Sequence, residues 1–252
     1  MIIGKDMEAI DGLPIIYLGS IKALAISDLH LGFEGGMAKA GVAIPKANLK
    51  SITAAFESAL RGRKVERVMI VGDVKNDFSS VNAEELRELR EIVGMLSARG
   101  VSLEMVRGNH DNFIERHSNA LGMRVYPKQA LVGGYLFAHG DERLLKADGE
   151  VKVIIIGHEH PTISIRSRAG TAERLRCFLN GQCKYFGKPA QLVVLPAAGY
   201  FETGSDINNR GRSRIMSPIL KTSNVDEMEA IAIGDGATLN FGRIKYLRDI
   251  EI

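Results

Sequence analysis

Five short apolar runs in this chain each stop at a small or polar cluster carrying an aspartate, an asparagine or a histidine. ALAIS leads into Asp28, VMIVG into Asp73, SLEMVRG into Asn109, YLFA into His139 and VKVIIIG into His158. Runs this short, several of them rich in β-branched residues, read as buried strands rather than helices. Helical patterns lie between them. PKANLKSITAAFESALRGR places Ile52, Phe56 and Leu60 four apart and opens with Pro45, which a first helical turn accepts. NAEELRELREIVGMLSARG starts on Asn82 with Glu85 three residues later, a capping-box signature, and closes on Gly100. Strand, helix, strand through Val106 is an α/β arrangement. Beyond His160 the helical period fades, and ISIRSR, LRCFL, QLVVLP, MEAIAIG and ATLNFGRIKYL read as a second sheet layer, antiparallel or mixed. No repeat or low-complexity linker divides the 252 residues, so one domain over 1–252 is expected.

Composition narrows the function classes. A 45% hydrophobic and 25% charged chain has ordinary globular values, which excludes disordered and collagen-like classes. No apolar run approaches a membrane span, and the first residues lack the apolar core of a signal peptide, so a cytoplasmic protein with no membrane partner is expected. Cys177 and Cys183 have no second cysteine pair beside them, which argues against a thiolate zinc site and for reduced thiols. The net charge of +3 hides an asymmetry. Residues 161–221 hold ten Lys and Arg (Arg166, Arg168, Arg174, Arg176, Lys184, Lys188, Arg210, Arg212, Arg214 and Lys221) against Glu173, Glu202 and Asp206. Such a stretch suits nucleic acid or another polyanion, and it is equally the composition of solvated basic loops. Its aromatics are Phe178, Tyr185, Phe186, Tyr200 and Phe201, few for stacking on bases. Oligomeric state leaves no signature in the sequence.

In open α/β sheets, ligands gather beyond the carboxyl ends of the strands. Each of the five clusters sits at such an end, and together they hold five of the six histidines. Taken singly, a strand-end aspartate caps the next helix or turn, a histidine there is a hydrogen-bonded turn residue, and glycine before Asp or Asn is ordinary turn chemistry. Five together point to one convergent site. Its inventory is carboxylates, an amide oxygen and imidazoles without thiolate, which suits Mn²⁺, Fe or Zn²⁺ better than Ca²⁺. In an extended stretch residues i and i+2 point the same way, so Asp28 with His30, and His158 with His160, are each expected to face a common cavity. Seven ligands exceed what one ion needs. Two ions bridged by a carboxylate would use them, an arrangement that serves in-line attack on phosphate esters.

The order D-x-H, G-D, G-N-H-D, H-G and G-H-x-H, from about Ala23 to Pro161, resembles the calcineurin-like metallophosphoesterase superfamily. The fuller set DLHLG, GVAIPKAN, GDVKN, RGNHD, AHGD and GHEHP is similar to the prokaryotic SbcD-related branch of small phosphoesterases. The resemblance implies an α/β four-layer fold, two packed mixed β-sheets flanked by α-helices. It implies two divalent metal ions, Mn first, with Fe, Zn or Ni as alternatives. Asp28, His30 and His160 would hold one, Asn109, His139 and His158 the other, and Asp73 would bridge. His110 would sit beside the phosphate and protonate the leaving oxygen, with Asp111 orienting it. The implied activity is metal-dependent hydrolysis of a phosphate ester, most simply a phosphodiester, by metal-activated hydroxide, and it extends to a nuclease. Two alternatives stay open: a nucleotide or dinucleoside-polyphosphate hydrolase, and a non-catalytic scaffold with this fold. Many members carry an acidic residue three after the bridging aspartate, where this chain has Asn76, preceded by Lys75. Arg107 would reach a phosphate oxygen or stay solvated. His117 lies on an expected helix outside every motif, as a surface or packing residue. Glu159, between two expected ligands, should point away from the ions, toward a supporting hydrogen bond or solvent.

Overall fold

The computed structural model describes residues 1–166, 172–209 and 215–248, without the side chains of Arg166 and Ala172. Its first sheet has seven strands in chain order: β1 (Ile2–Gly4), β2 (Met7–Ala9), β3 (Ile16–Leu18), β4 (Ala23–Ile26), β5 (Arg67–Val71), β6 (Ser102–Val106) and β7 (Arg124–Tyr126). β1 to β4 form an antiparallel meander, and β4 to β7 run parallel. The meander is absent from the sequence expectations, because three-residue strands are too short to show a period.

The second sheet has nine strands: β8 (Gln129–Val132), β9 (Tyr135–Ala138), β10 (Val153–Ile156), β11 (Pro161–Arg166), β12 (Ala172–Tyr185), β13 (Lys188–Val194), β14 (Ser205–Asp206), β15 (Glu229–Ile233) and β16 (Thr238–Arg243). Their order is β14-β11-β12-β13-β10-β9-β8, with β15 paired to the middle of the long β12 and β16 to β15. β9, β10 and β13 are parallel, and most of the remainder is antiparallel. Both sheets are therefore mixed.

The layers follow from which faces are apolar. Ala23 and Ala25 of β4 turn inward with Met69, Val71 and Val106, and meet Phe137, Ile155, Phe178 and Val193 of the other sheet. The alternate residues Leu24, Ile26, Val68 and Ile70 face outward against helices α2 (Asn48–Leu60) and α3 (Ala83–Ser97). These strands are buried on both faces, which explains why their sequences are unbroken apolar runs. Helices α1 (Phe33–Lys39) and α4 (Glu115–Leu121) complete that outer layer. The outer face of the second sheet is covered more thinly, by α5 (Pro218–Lys221) and short 3₁₀ turns, with Ile219, Leu220, Val225 and Ile244 packed on Leu136, Ile154, Ile156 and Leu192. Two packed mixed sheets flanked by helices is the architecture expected.

Helix starts are set by side chains. Asn82 accepts from the Glu85 amide at 3.0 Å and Glu85 returns the bond to the Asn82 amide at 2.9 Å, a complete capping box. Pro45, expected inside the first turn of α2, instead precedes it by three residues. Glu34 decides that boundary by accepting from the amides of Ala47 at 2.9 Å and Asn48 at 2.8 Å. Among the described residues no helix is long and apolar enough to cross a membrane. Replacing Asn82 with alanine should cost about 1 kcal/mol of folding stability. Urea unfolding would show this as a lower midpoint at unchanged slope, and an unchanged midpoint would contradict the capping assignment.

Candidate metal centre

β4, β5 and β6 of one sheet and β9 and β10 of the other end at the same edge of the sandwich, and all five polar clusters follow those ends. The backbone ties them together. The amides of Asp28 and His30 donate to the carbonyls of Gly72 and Asp73 at 3.0 and 3.1 Å, and the Gly157 amide donates to the His139 carbonyl at 2.8 Å.

The side chains gather into two groups. Asp28, His30 and His160 bring one ligand atom each within 4.8 Å of one another, and Asp73, His139 and His158 do the same. Asn109 joins the second, its Oδ1 lying 3.1 Å from His139 Nε2. All seven expected ligand residues are thus brought together. Their backbone is not the extended one that the i, i+2 argument assumes. Asp28, His30, Asp73, His158 and His160 all have positive φ, between 45° and 67°, a left-handed conformation that Asp and His tolerate better than most residues. The turns send His158 and His160 to different groups, the same division that the resemblance implied.

Close approach explains two of the motif glycines. A Cβ on Gly108 would collide with Asp73 Oδ1, and one on Gly157 with Ser27 Oγ and with Asp28 Oδ2. Each loop is backed against an expected ligand carried by another.

Electrostatics then test whether cations fit. Burial raises the cost of charging Asp28 and Asp73, but the histidines facing them outweigh it and hold both carboxyls below the usual carboxylate range. Asp28 is fully buried, with Oδ1 3.0 Å from His160 Nε2, and Asp73 Oδ2 is 3.1 Å from His139 Nε2. The same pairs act on the imidazoles. Burial disfavours the charged ring, yet the facing carboxylates prevail and push His139 and His160 up to about 10. His139 Nδ1 lies 2.9 Å from the Val71 carbonyl, so it is the donor there and Nε2 is left facing Asp73 and Asn109. Among the described residues neither buried ring nitrogen of His30 has a hydrogen-bond partner, and burial lowers its pKa. Acceptors crowded on acceptors, two imidazoles pushed toward the charged form by buried carboxylates, and an orphaned imidazole fit a centre built for divalent cations.

His110 lies beside both groups, its ring centroid 4.8 Å from that of His30 and Nε2 3.8 Å from Asp73 Oδ2. Its Nδ1 is 2.7 Å from the Asn76 carbonyl, and the half-exposed Phe78 ring tilts against it with centroids 3.5 Å apart. Asp111 does not orient this ring. Its carboxylate is fully buried and accepts from the amides of Val74 at 2.9 Å, Lys75 at 3.3 Å and Gly108 at 2.9 Å, pinning the G-N-H-D loop to the G-D loop. Burial, with the charge of Asp73 added, raises its pKa. The ring is oriented by the 76–80 segment, and Lys75 underpins that segment. It is 1% exposed, and its ammonium donates to the carbonyls of Asp77 and Ser80. The departure at Lys75 and Asn76 therefore positions His110.

Other expectations resolve plainly. Glu159 is fully buried and points away from both groups, accepting from the amides of Met216 and Ser217 at 2.9 Å each. His117 is half-buried on α4, apart from the centre. Arg107 pairs with Glu115 at 3.1 Å. In the basic stretch, Arg168, Arg210, Arg212 and Arg214 lie outside the described residues, as does the Arg166 side chain. Arg176 is not a solvated cation, since it donates to the carbonyls of Ala197 and Tyr200 at 3.1 Å each. The sequence reading missed Glu202, whose Oε2 lies 3.4 Å from His160 Nδ1 and steadies the ring from behind. It also missed Asn48, which donates to the carbonyls of Leu29 and His30 and accepts from the Tyr200 amide. The signal for Glu202 was faint: one acid soon after the strand-end run QLVVLPAAG.

The family model for the calcineurin-like phosphoesterase matches residues 21–195, more than half of the chain. The chain belongs to this family. It is accordingly a metal-dependent phosphoesterase with a phosphate ester as substrate, and all nine residues anticipated for its site fall inside the matched span, whereas Glu202 falls beyond it. Among solved structures, a Pseudomonas putida nuclease called MPE shares the fold at a TM-score of 0.61 and 18% identity, over 92% of this chain and 100% of that one. The E. coli phosphoesterase YfcE aligns at a TM-score of 0.40 and 15% identity, over 88% and 98%. A search of curated protein sequences finds no significant match.

Because the facing carboxylates push His139 and His160 up to about 10 and a metal ion needs the bare nitrogen, metal uptake should expel protons. Apparent affinity should rise with pH from 6.5 toward 10. Calorimetric titration of the metal-free phosphoesterase with Mn²⁺ at pH 7.5, in buffers of differing ionisation enthalpy, should show release of about two protons per chain. A buffer-independent heat would contradict this.

Proposed function

We infer that this phosphoesterase is a dinuclear-metal phosphodiesterase. The observation that carries the reading is the pair of three-residue donor groups at one edge of the sandwich, with the orphaned His30 ring in one and the Asn109 oxygen beside the other. Asp28, His30 and His160 would hold one ion, and Asn109, His139 and His158 the second. Asp73 lies with the second group, and its charge also acts on His30, which supports its reading as the bridge. Mixed oxygen and nitrogen donors without thiolate suit Mn²⁺ first, with Fe, Zn or Ni as alternatives. Bound there, the ions would supply an activated water and neutralise charge on the phosphoryl oxygens.

The chain's own residues complete the chemistry. His110 has Nδ1 committed to the Asn76 carbonyl, which leaves Nε2 as the atom that can pass a proton to the leaving oxygen. Asp111 and Lys75 hold the two loops that fix this ring, as positioning residues. Glu202 holds the far nitrogen of His160, so its near nitrogen faces Asp28 and the ion. One catalytic domain spans the chain in this reading, since His30 comes from one sheet and His160 from the other. Nucleic acid is the finer reading of the substrate, supported by the basic excess of residues 161–221 and by the name of the P. putida neighbour.

With Mn²⁺ present the protein should hydrolyse bis(4-nitrophenyl) phosphate. Replacing His110 with alanine should lower kcat by about 100-fold or more while metal content is kept, and Asp73→Ala should abolish turnover. Metal-loaded protein inactive on every mono- and diester would overturn the proposal.

A further inference from the structure

A cleft of about 230 Å³ opens at the Asn109 and His139 end of the centre, with both residues in its wall. Arg107, Lys128 and Arg143 line it, against Asp141 and Glu142, so cations are in excess. Arg107 is held by Glu115 at 3.1 Å and Lys128 by Glu142 at 3.0 Å. The Lys128 pair is exposed and the Arg107 pair half-buried, and ion pairs this open to solvent contribute little and exchange readily for another anion. One of the five guanidinium donors of Arg107 is used by Glu115, which leaves a fork for a second oxyanion. Arg143 is exposed and has no carboxylate partner among the described residues.

Size decides what these cations are for. Sites for whole drug-sized ligands run from roughly 300 to 1,000 Å³. A polar cleft below that range takes a fragment, and its charge selects an anionic one. Because it adjoins the donors expected to hold the ions at the reacting phosphate, the anion would belong to the same molecule.

We propose that this cleft seats a second, non-reacting phosphate of the substrate. The inference rests on the phosphodiesterase reading above and narrows it: the preferred substrate carries neighbouring phosphates, as a polynucleotide strand or a dinucleoside polyphosphate does, and an isolated diester is a poor mimic. Arg107 and Arg143 are the specificity-determining cations.

The test compares kcat/KM for the Mn²⁺-loaded wild type, Arg143→Gln and Arg107→Gln/Arg143→Gln on bis(4-nitrophenyl) phosphate, a twelve-residue oligothymidylate and diadenosine tetraphosphate. The ratio of the multi-phosphate substrate to the simple diester should fall about tenfold in the double variant, chiefly through KM. Its salt dependence on the oligonucleotide should flatten by about 0.7 in log–log slope for each lost contact. Arg143→Gln, at an exposed position, carries the test if the double variant does not fold. A fall confined to the oligonucleotide or to the tetraphosphate identifies the source of the phosphate. Unchanged ratios for both overturn the cleft. If the wild type cleaves none of the three, the function proposed above fails. Binding of the uncleaved oligonucleotide and tetraphosphate then decides, and equal affinity in wild type and variants refutes the subsite.

Discussion

Two buried carboxylates, Asp28 and Asp73, set the terms for everything around them. Taking an ion out of water costs several kcal/mol even after the protein relaxes. The chain meets that cost locally: Asp28 receives the His158 amide and faces His160, and Asp73 receives the His110 amide and faces His139. Removing either carboxylate would strand the imidazole that faces it. Removing the imidazoles would strand a charge. The pairing also primes the protein for cations, because the positive partners in it are protons on nitrogens that a metal can take over.

That arrangement demands an unusual backbone. Five non-glycine residues in the left-handed region cost on the order of 1–3 kcal/mol each, and such conformations persist only where surrounding structure over-determines them. Here the determinants are rigid. Each loop leaves a strand buried on both faces, its amides are committed to the neighbouring loop, and the side chains of Asp73 and Asp28 fill the space where a glycine lacks a Cβ. The two sheets act as a clamp, with the Asp28, Asp73 and Asn109 loops on one and those of His139, His158 and His160 on the other.

Much of this was legible in the sequence, because the strong signals are local. Buried parallel strands leave unbroken apolar runs, and the capping box of α3 is written in Asn82 and Glu85. The strand-end clusters name their own donors. What escaped was non-local or depended on conformation. The β1 to β3 meander is too short to show a period, and Pro45 misleads because Glu34, from another helix, decides where α2 begins. The split of His158 and His160 between the two groups agrees with what the family resemblance implied, but the left-handed turns that carry it escape an extended-strand argument. Asp111 looks like a partner of its neighbour His110 and is instead a backbone anchor. Glu202 and Lys75 act through residues remote in sequence, so nothing beside them announces their roles.

In the proposed function each of the two donor groups holds one ion. Elemental analysis after equilibrium dialysis against Mn²⁺ tests it most directly, on the wild type, His160→Ala and His158→Ala. The wild type should hold about two ions per chain and each variant about one, retained by the group left intact. A wild type that binds no metal, or variants that each lose both ions equally, would contradict it.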